Sequence, residues 1–146
     1  MSVTKAVYQL LSEDAYLQAQ LADYNGSPAV FTQFPLPRGF DINNDWPYII
    51  TEGNVADNTD GSSASKNATG RGILRDIRIY QHVDGGIQSL EEIALHVWEM
   101  FHRIKLDVDG YDTVSTTATG PTLAPTEGDK IRGRVITLDI NLYRSD

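Results

Sequence analysis

The sequence predicts an α+β fold: two short N-terminal helices and one long helix packed on one face of a mostly antiparallel or mixed sheet of four to five strands. Three observations carry this. Residues 131–144, "IRGRVITLDINLYR", alternate so that Ile136, Leu138, Ile140 and Leu142 face one way, while Val135, Thr137, Asp139, Asn141 and Tyr143 face the other. Residues 89–105, "SLEEIALHVWEMFHRIK", set Leu90, Ile93, Ala94, Val97, Phe101 and Ile104 on one helical stripe. Helices and strands also come in blocks, with no internal repeat and no regular βαβ alternation.

The elements follow in order. Val3, Val7, Leu10 and Leu11 fall at helical spacing. A second short helix restarts at Ser12, a plausible N-cap, with Tyr16, Leu17 and Leu21 on its buried side. The turn residues of "YNGSP" (24–28) end it. "AVFTQF" (29–34) reads as a strand, "PLPRGFDINND" (35–45) as a connection, and "WPYIITEG" (46–53) as a second strand. Pro47 lacks an N–H and belongs at that strand's start or at a sheet edge. "ILRDIRIYQHV" (73–83) is a strand with Ile73, Ile77, Ile79 and Val83 on one face and Leu74, Asp76, Arg78, Tyr80 and His82 on the other. Ser89 and Glu92 have the spacing of a capping box for the long helix. A short strand is expected near 111–117, before the closing strand.

Two polar stretches, at about 54–72 and 112–129, read as long flexible loops. Both lead straight into the longest strands. Cutting at either would leave half a core, so the expectation is one domain over 1–146.

Composition narrows function. Of 146 residues 40% are hydrophobic and 22% charged, a globular balance, and the net charge is -8. Such an acidic chain lacks the clustered Lys and Arg of a general nucleic-acid binder. With no cysteine there is no disulfide framework and no thiolate metal site. The N-terminal residues lack the apolar core of a signal peptide. No run approaches the roughly 20 apolar residues of a membrane span. The sequons at Asn25 and Asn67 are therefore read as chance matches.

Chemical motifs are weak. Gly61, Lys66 and Gly70 do not have phosphate-loop spacing. The acidic runs "DNTDG" and "DVDGYD" fail calcium-loop spacing and read as solvated turns. Glu99 and His102 make one E-x-x-H, where di-iron bundles need two copies and further carboxylates. His82 and His96 have no evident partner, and no Ser-His-Asp signature is present. No catalytic residue, metal ligand or cofactor is assigned.

The long helix carries one unusual feature. Projected at about 100° per residue, Trp98 lies roughly 80° and Leu95 roughly 140° from the core stripe. Both extend the apolar surface beyond what one sheet needs. Either the N-terminal helices cover them, or they form a subunit contact.

The chain resembles the tail terminator, or tail completion, proteins of long-tailed (siphovirus-type) bacteriophages. The resemblance spans roughly residues 3–144. It rests on "AVYQLLSEDAYLQAQL" as the opening helical pair, "WPYIITEG" as the proline-aromatic strand before a variable polar loop, "ILRDIRIYQHVDGGIQSLEEIALHVWEMF" as strand, turn and amphipathic helix, and "RGRVITLDINLYR" as the closing strand. It implies a structural virion protein with no enzymatic turnover. Such a protein forms a ring, usually a hexamer, that caps the tail tube, stops its polymerisation and presents a surface for head–tail joining. The implied partners are further copies of itself, the tail tube protein and the head–tail connector protein. DNA passes through the ring without specific binding, and no membrane is involved. The implied location is the virion, and the host cytoplasm during assembly.

On this basis the candidate subunit interface comprises Leu95, Trp98, Thr137, Asp139, Asn141 and Tyr143. The first polar loop, with Asp57, Asp60, Lys66 and Arg71, is the candidate partner-contact segment. Two alternatives stand beside this reading. One is a head completion or neck connector protein. The other, of a different class, is a small cytosolic enzyme or ligand-binding domain with a site under the two loops.

Overall fold

The computed structural model describes residues 2–33, 36–60, 68–111, 113–124, 126 and 129–145. Helix α1 spans Val3–Glu13 and α2 Ala15–Gln20. The short strands β1 (Asp23–Tyr24) and β2 (Ser27–Pro28) form a small hairpin of their own. Next come β3 (Val30–Phe31), β4 (Tyr48–Ile50), β5 (Asn54–Asp60) and β6 (Ala68–His82). A 3-10 turn over Val83–Gly85 leads into α3 (Ile87–Phe101), followed by β7 (Thr113–Leu123) and β8 (Ile131–Ser145). Among the described residues the main sheet has six strands in the order β3-β4-β6-β8-β7, and β5 pairs with the remaining part of β6. All its pairings are antiparallel except β3 with β4. The architecture is α+β, and the sheet is mixed.

The β6–β8 ladder runs unbroken from Ala68↔Ser145 to His82↔Ile131. Its alternation aligns Ile73 with Ile140 and Ile77 with Ile136, and all four are essentially fully buried. Helices α1, α2 and α3 cover this face through Val7, Leu11, Leu17, Leu90, Val97 and Phe101. At roughly 25 cal/mol per Å² of apolar surface removed from water, this stripe-on-sheet burial is the main stabilising contribution.

Several local expectations are corrected. The cap of α2 is Asp14, not Ser12: its carboxylate accepts the Leu17 N–H at 3.0 Å. Helix α3 begins at Ile87 after Gly86, whose φ of 83° suits glycine, and no side chain caps it. Ser89 therefore lies inside the helix, and the Ser89–Glu92 capping box does not form. The helix ends at Phe101 rather than 105, because Arg103 takes a left-handed φ of 66°. The expected loop at 54–72 is largely strand. Residues 54–60 are β5 and residues 68–72 begin β6, paired from Asn54↔Arg75 to Asp60↔Gly70 with one register shift between Asn54 and Ala56. The expected loop at 112–129 holds β7 out to Leu123. Residues 61–67, 112, 125, 127 and 128 lie outside the described residues. Strand β3 is two residues long rather than six, and Pro47 stands just before β4.

The opposite sheet face is not uniformly polar. At the β3–β4 end Phe31, Tyr48, Ile50, Tyr80 and Ile131 are buried, with Tyr24, Phe40 and Trp46 packed on them. The rings meet edge-on, Phe31 to Phe40 at 4.8 Å and Phe40 to Tyr48 at 5.3 Å, while Tyr48 stacks on Tyr80 at 5.4 Å. Gly133 makes room for this layer: a Cβ there would meet the Tyr80 ring at 2.7 Å. Tyr80 and His82, on the strand face opposite the isoleucines, are thus covered; His82 stacks on Trp46 at 5.8 Å.

Arg75 is fully buried on the helix-covered face. Its Nε donates to Thr51 Oγ1 (2.8 Å), one terminal nitrogen to Thr4 Oγ1 (3.0 Å) and Asn54 Oδ1 (3.1 Å), and the other to the Thr51 carbonyl (2.7 Å). All four acceptors are uncharged. Burial pulls the guanidinium below its ordinary pKa. One side chain thereby ties α1 and the β4–β5 junction to the central strand.

Three expected outcomes follow from this packing. Arg75→Met leaves its acceptors unsatisfied in the interior and lowers stability by roughly 3 kcal/mol in chemical denaturation. Thr116→Val removes a buried hydroxyl that has no hydrogen-bond partner among the described residues, and raises stability by about 1 kcal/mol in the same assay. Burial, and secondarily Tyr80, push the Tyr48 phenol up to about 12. Its unfolded value is near 10. Below that pH both states keep the proton and stability is unaffected. As pH rises from about 10 to about 12 the unfolded chain ionises first, and stability falls by on the order of 2 kcal/mol. The denaturation midpoint of Tyr48→Phe declines less steeply across that window.

Candidate assembly surface

Two surfaces carry the residues that sequence reasoning singled out, and they lie on opposite sides of the sheet. The first is the outward face of β8. Alternation places Thr137, Asp139, Asn141 and Tyr143 there, away from the buried Leu138, Ile140 and Leu142. Register extends this face sideways. Thr137 sits between Asp76 and Thr119, Asp139 between Leu74 and Thr117, Asn141 between Gly72 and Ser115, and Tyr143 between Gly70 and Thr113. The Thr137 hydroxyl donates to Asp76 Oδ1 at 2.8 Å, and the Thr119 hydroxyl to the Thr137 carbonyl at 3.3 Å. Asp139 and Tyr143 are exposed, as is the neighbouring Leu74. Gly70 and Gly72 place no side chain beside Tyr143 and Asn141, so a strip of bare backbone flanks the tyrosine.

Beside this face opens a groove of about 640 Å³, lined by Glu52, Val55, Asp76, Arg78 and Val135 among others. Val55 sits at the register shift between Asn54 and Ala56 and is 65% exposed. Glu52 and Arg78 pair across the groove at 2.9 Å. With both partners well exposed, the pair contributes at most about 1 kcal/mol. Among the described residues the groove is lined by one carboxylate–guanidinium pair, a second carboxylate and two valines.

The second surface is the outer ridge of α3. Ile87, Glu91, Leu95 and Glu99 follow one another at a spacing of four residues and are all exposed. Leu95 is half exposed, while Glu91 reaches across to Arg134 at 3.2 Å. Trp98 is different. It is partly buried and packs against the main core. Its indole N–H donates to the Ala118 carbonyl at 2.8 Å, and its ring stacks on His102 at 4.5 Å. Asp57 and Asp60 lie on β5 and Arg71 on β6, opposite Thr59 and Leu142; Lys66 lies outside the described residues.

The fold described by these elements is shared with a chain of the virion of a native gene transfer agent (GTA) particle. The two are 17% identical, the match covers 97% of this chain and 95% of that one, and the TM-score is 0.72. A second solved chain matches over 96% of this chain and 92% of its own length, at 13% identity and a TM-score of 0.55. No protein-family model and no curated protein matches the sequence.

Sequence reasoning missed several contacts because they join distant segments. His96 Nε2 meets Asp14 Oδ2 at 2.8 Å, on the carboxylate that caps α2. Tyr16 packs on the same imidazole at 4.2 Å, and burial, with a smaller effect of Glu92, raises its phenol pKa. The His–Asp pair therefore clamps α2 to α3. His82 accepts the Asp84 N–H at 3.1 Å and starts the 3-10 turn. Both histidines thus have partners. Glu99 is exposed and His102 accepts a backbone N–H, so the E-x-x-H pair does not converge on one site. Among the described residues no three His, Cys, Asp or Glu side chains are grouped to hold a metal ion, and no helix is long and apolar enough to cross a membrane. Only Arg75 had a sequence signal available: a charge at a core-parity position of a strand.

Proposed function

We propose that the chain is a non-enzymatic structural protein of a virion, and within that class a ring-forming tail terminator. The observation that carries the proposal is the likeness of fold, over nearly the whole of both chains, to a chain of the GTA virion. The terminator role rests on the family resemblance of the sequence. In this role the ring, hexameric in the family, caps the tail tube and stops its growth. It also offers the head–tail connector a surface, and DNA passes through. A net charge of -8 suits a conduit that must not grip phosphates. The protein works in the virion, after assembly in the host cytoplasm.

A closed ring needs two different, complementary surfaces on each subunit. The outward β8 face and the α3 ridge supply two such surfaces on opposite sides of the sheet. In this arrangement Leu95 and Ile87 of one copy meet the face around Thr137, Asp139, Asn141 and Tyr143 of the next. The β5–β6 hairpin, with Asp57, Asp60 and Arg71, reaches the tube or the connector. Trp98 contributes least, because its N–H is committed within its own chain.

Light scattering after size exclusion, followed by electron microscopy of the particles, tests the reading. A closed ring with a central hole is expected, alone or on added tail tubes. Leu95→Asp and Tyr143→Ala each weaken assembly by about tenfold or more, with the melting transition retained. A compact monomer that ignores tail tubes and binds a small metabolite would sink it.

A further inference from the structure

Strand β7 is the long outer edge of the sheet: among the described residues it pairs with β8 on one side and with no strand on the other. From Thr113 to Leu123 it is rich in threonine and carries no charged side chain. An uncharged, β-branched edge is a template for pairing with another chain, and proteins commonly block such edges with charge, proline or a covering segment. Here Pro121 stands near one end. The middle of the strand has a cover of another kind.

In an antiparallel pair, alternate residues turn both backbone groups away from the partner strand. Thr116 and Ala118 are two such residues, and the end of α3 takes up three of their four groups. The Arg103 N–H donates to the Thr116 carbonyl at 2.9 Å. The Ala118 N–H donates to His102 Nδ1 at 3.2 Å, and the Trp98 indole N–H donates to the Ala118 carbonyl at 2.8 Å. The stacked Trp98 and His102 rings, 16° from parallel, hold one another in place. Arg103 reaches Thr116 from a left-handed φ of 66°, a conformation uncommon outside glycine and asparagine.

We propose that Trp98 and His102, with the Arg103 backbone, form an edge guard. It occupies three outward hydrogen-bonding groups at the centre of β7, the Thr116 carbonyl and both groups of Ala118, and the strand it excludes is β7 of a second copy. Identical edges can pair antiparallel about a two-fold axis. This edge has no charge to repel its own image, and every copy carries it. The guard does not rest on the ring reading, since it governs the wrong association rather than the right one.

The test compares the full chain with the Trp98→Phe/His102→Leu double variant at matched concentrations, by light scattering and by amide exchange. Trp98→Phe keeps a ring but removes the donor, and His102→Leu removes the acceptor. The double variant should gain a concentration-dependent species at least twice the mass formed by the unsubstituted protein. The Ala118 amide, protected in the unsubstituted chain, should exchange at least tenfold faster in the dilute double variant. His102→Asn, whose Oδ1 can replace Nδ1 as acceptor, should behave as the unsubstituted chain does. Adding Thr117→Lys to the double variant should abolish the new species by charging the bare edge. Unchanged mass in the double variant overturns the proposal. So does unfolding without the new species, which would mean that the contacts serve stability alone, or association that Thr117→Lys leaves intact, which would place the new contact away from β7.

Discussion

The pairing of β6 with β8 is the constraint on which the remaining structure depends. Two strands of fifteen residues each run antiparallel in unbroken register. A one-residue slip of β8 against β6 would turn Ile136, Leu138, Ile140 and Leu142 to the wrong face together, so the hydrophobic pattern holds the register against slippage. Everything else attaches to that ladder. The three helices cover one face, an aromatic layer covers part of the other, β4 and β5 share one flank, and β7 takes the opposite flank. The polar residues of the proposed subunit contact fall on the uncovered stretch as a direct result of this parity.

The same dependence explains what could be seen in the sequence. Strands β6 and β8 and helix α3 each set one face or stripe on the core, and their apolar periodicity shows it. Strand β5 is "NVADNTD" and shows no such pattern. It is held by backbone pairing to β6, and backbone hydrogen bonds leave no mark on side-chain composition. The extent of β7 was obscured for a related reason. Its threonines, with the glycine and proline at its far end, suit a turn as well as an edge strand. The capping errors have a local cause: Ser12 and Asp14 are both competent N-caps two residues apart, and Asp14 also meets His96 from α3.

The candidate surface was legible in part. The four outward residues of β8 follow from alternation alone, and the exposure of Leu95 follows from its angle on the helix. The environment of Trp98 does not follow from either pattern. Its partner is the backbone of a strand 20 positions away in sequence, and helix projection cannot tell a side chain bound there from one left for another subunit. The groove beside Asp76 and Arg78 depends on where β5 crosses the sheet margin, which was itself hidden.

Arg75 has a consequence that concerns the surrounding electrolyte. Its partners are two hydroxyls, an amide and a carbonyl, all of them dipoles. Mobile ions screen attraction between exposed charges over roughly 8–10 Å at ordinary ionic strengths, but they have little hold on a buried ion–dipole contact. Surface pairs such as Glu52 with Arg78 weaken as salt is added. The junction of α1, β4, β5 and β6 is held by a cation whose bonds respond little to ionic strength, so dilution or brine acts on the protein's outer contacts well before it reaches its frame.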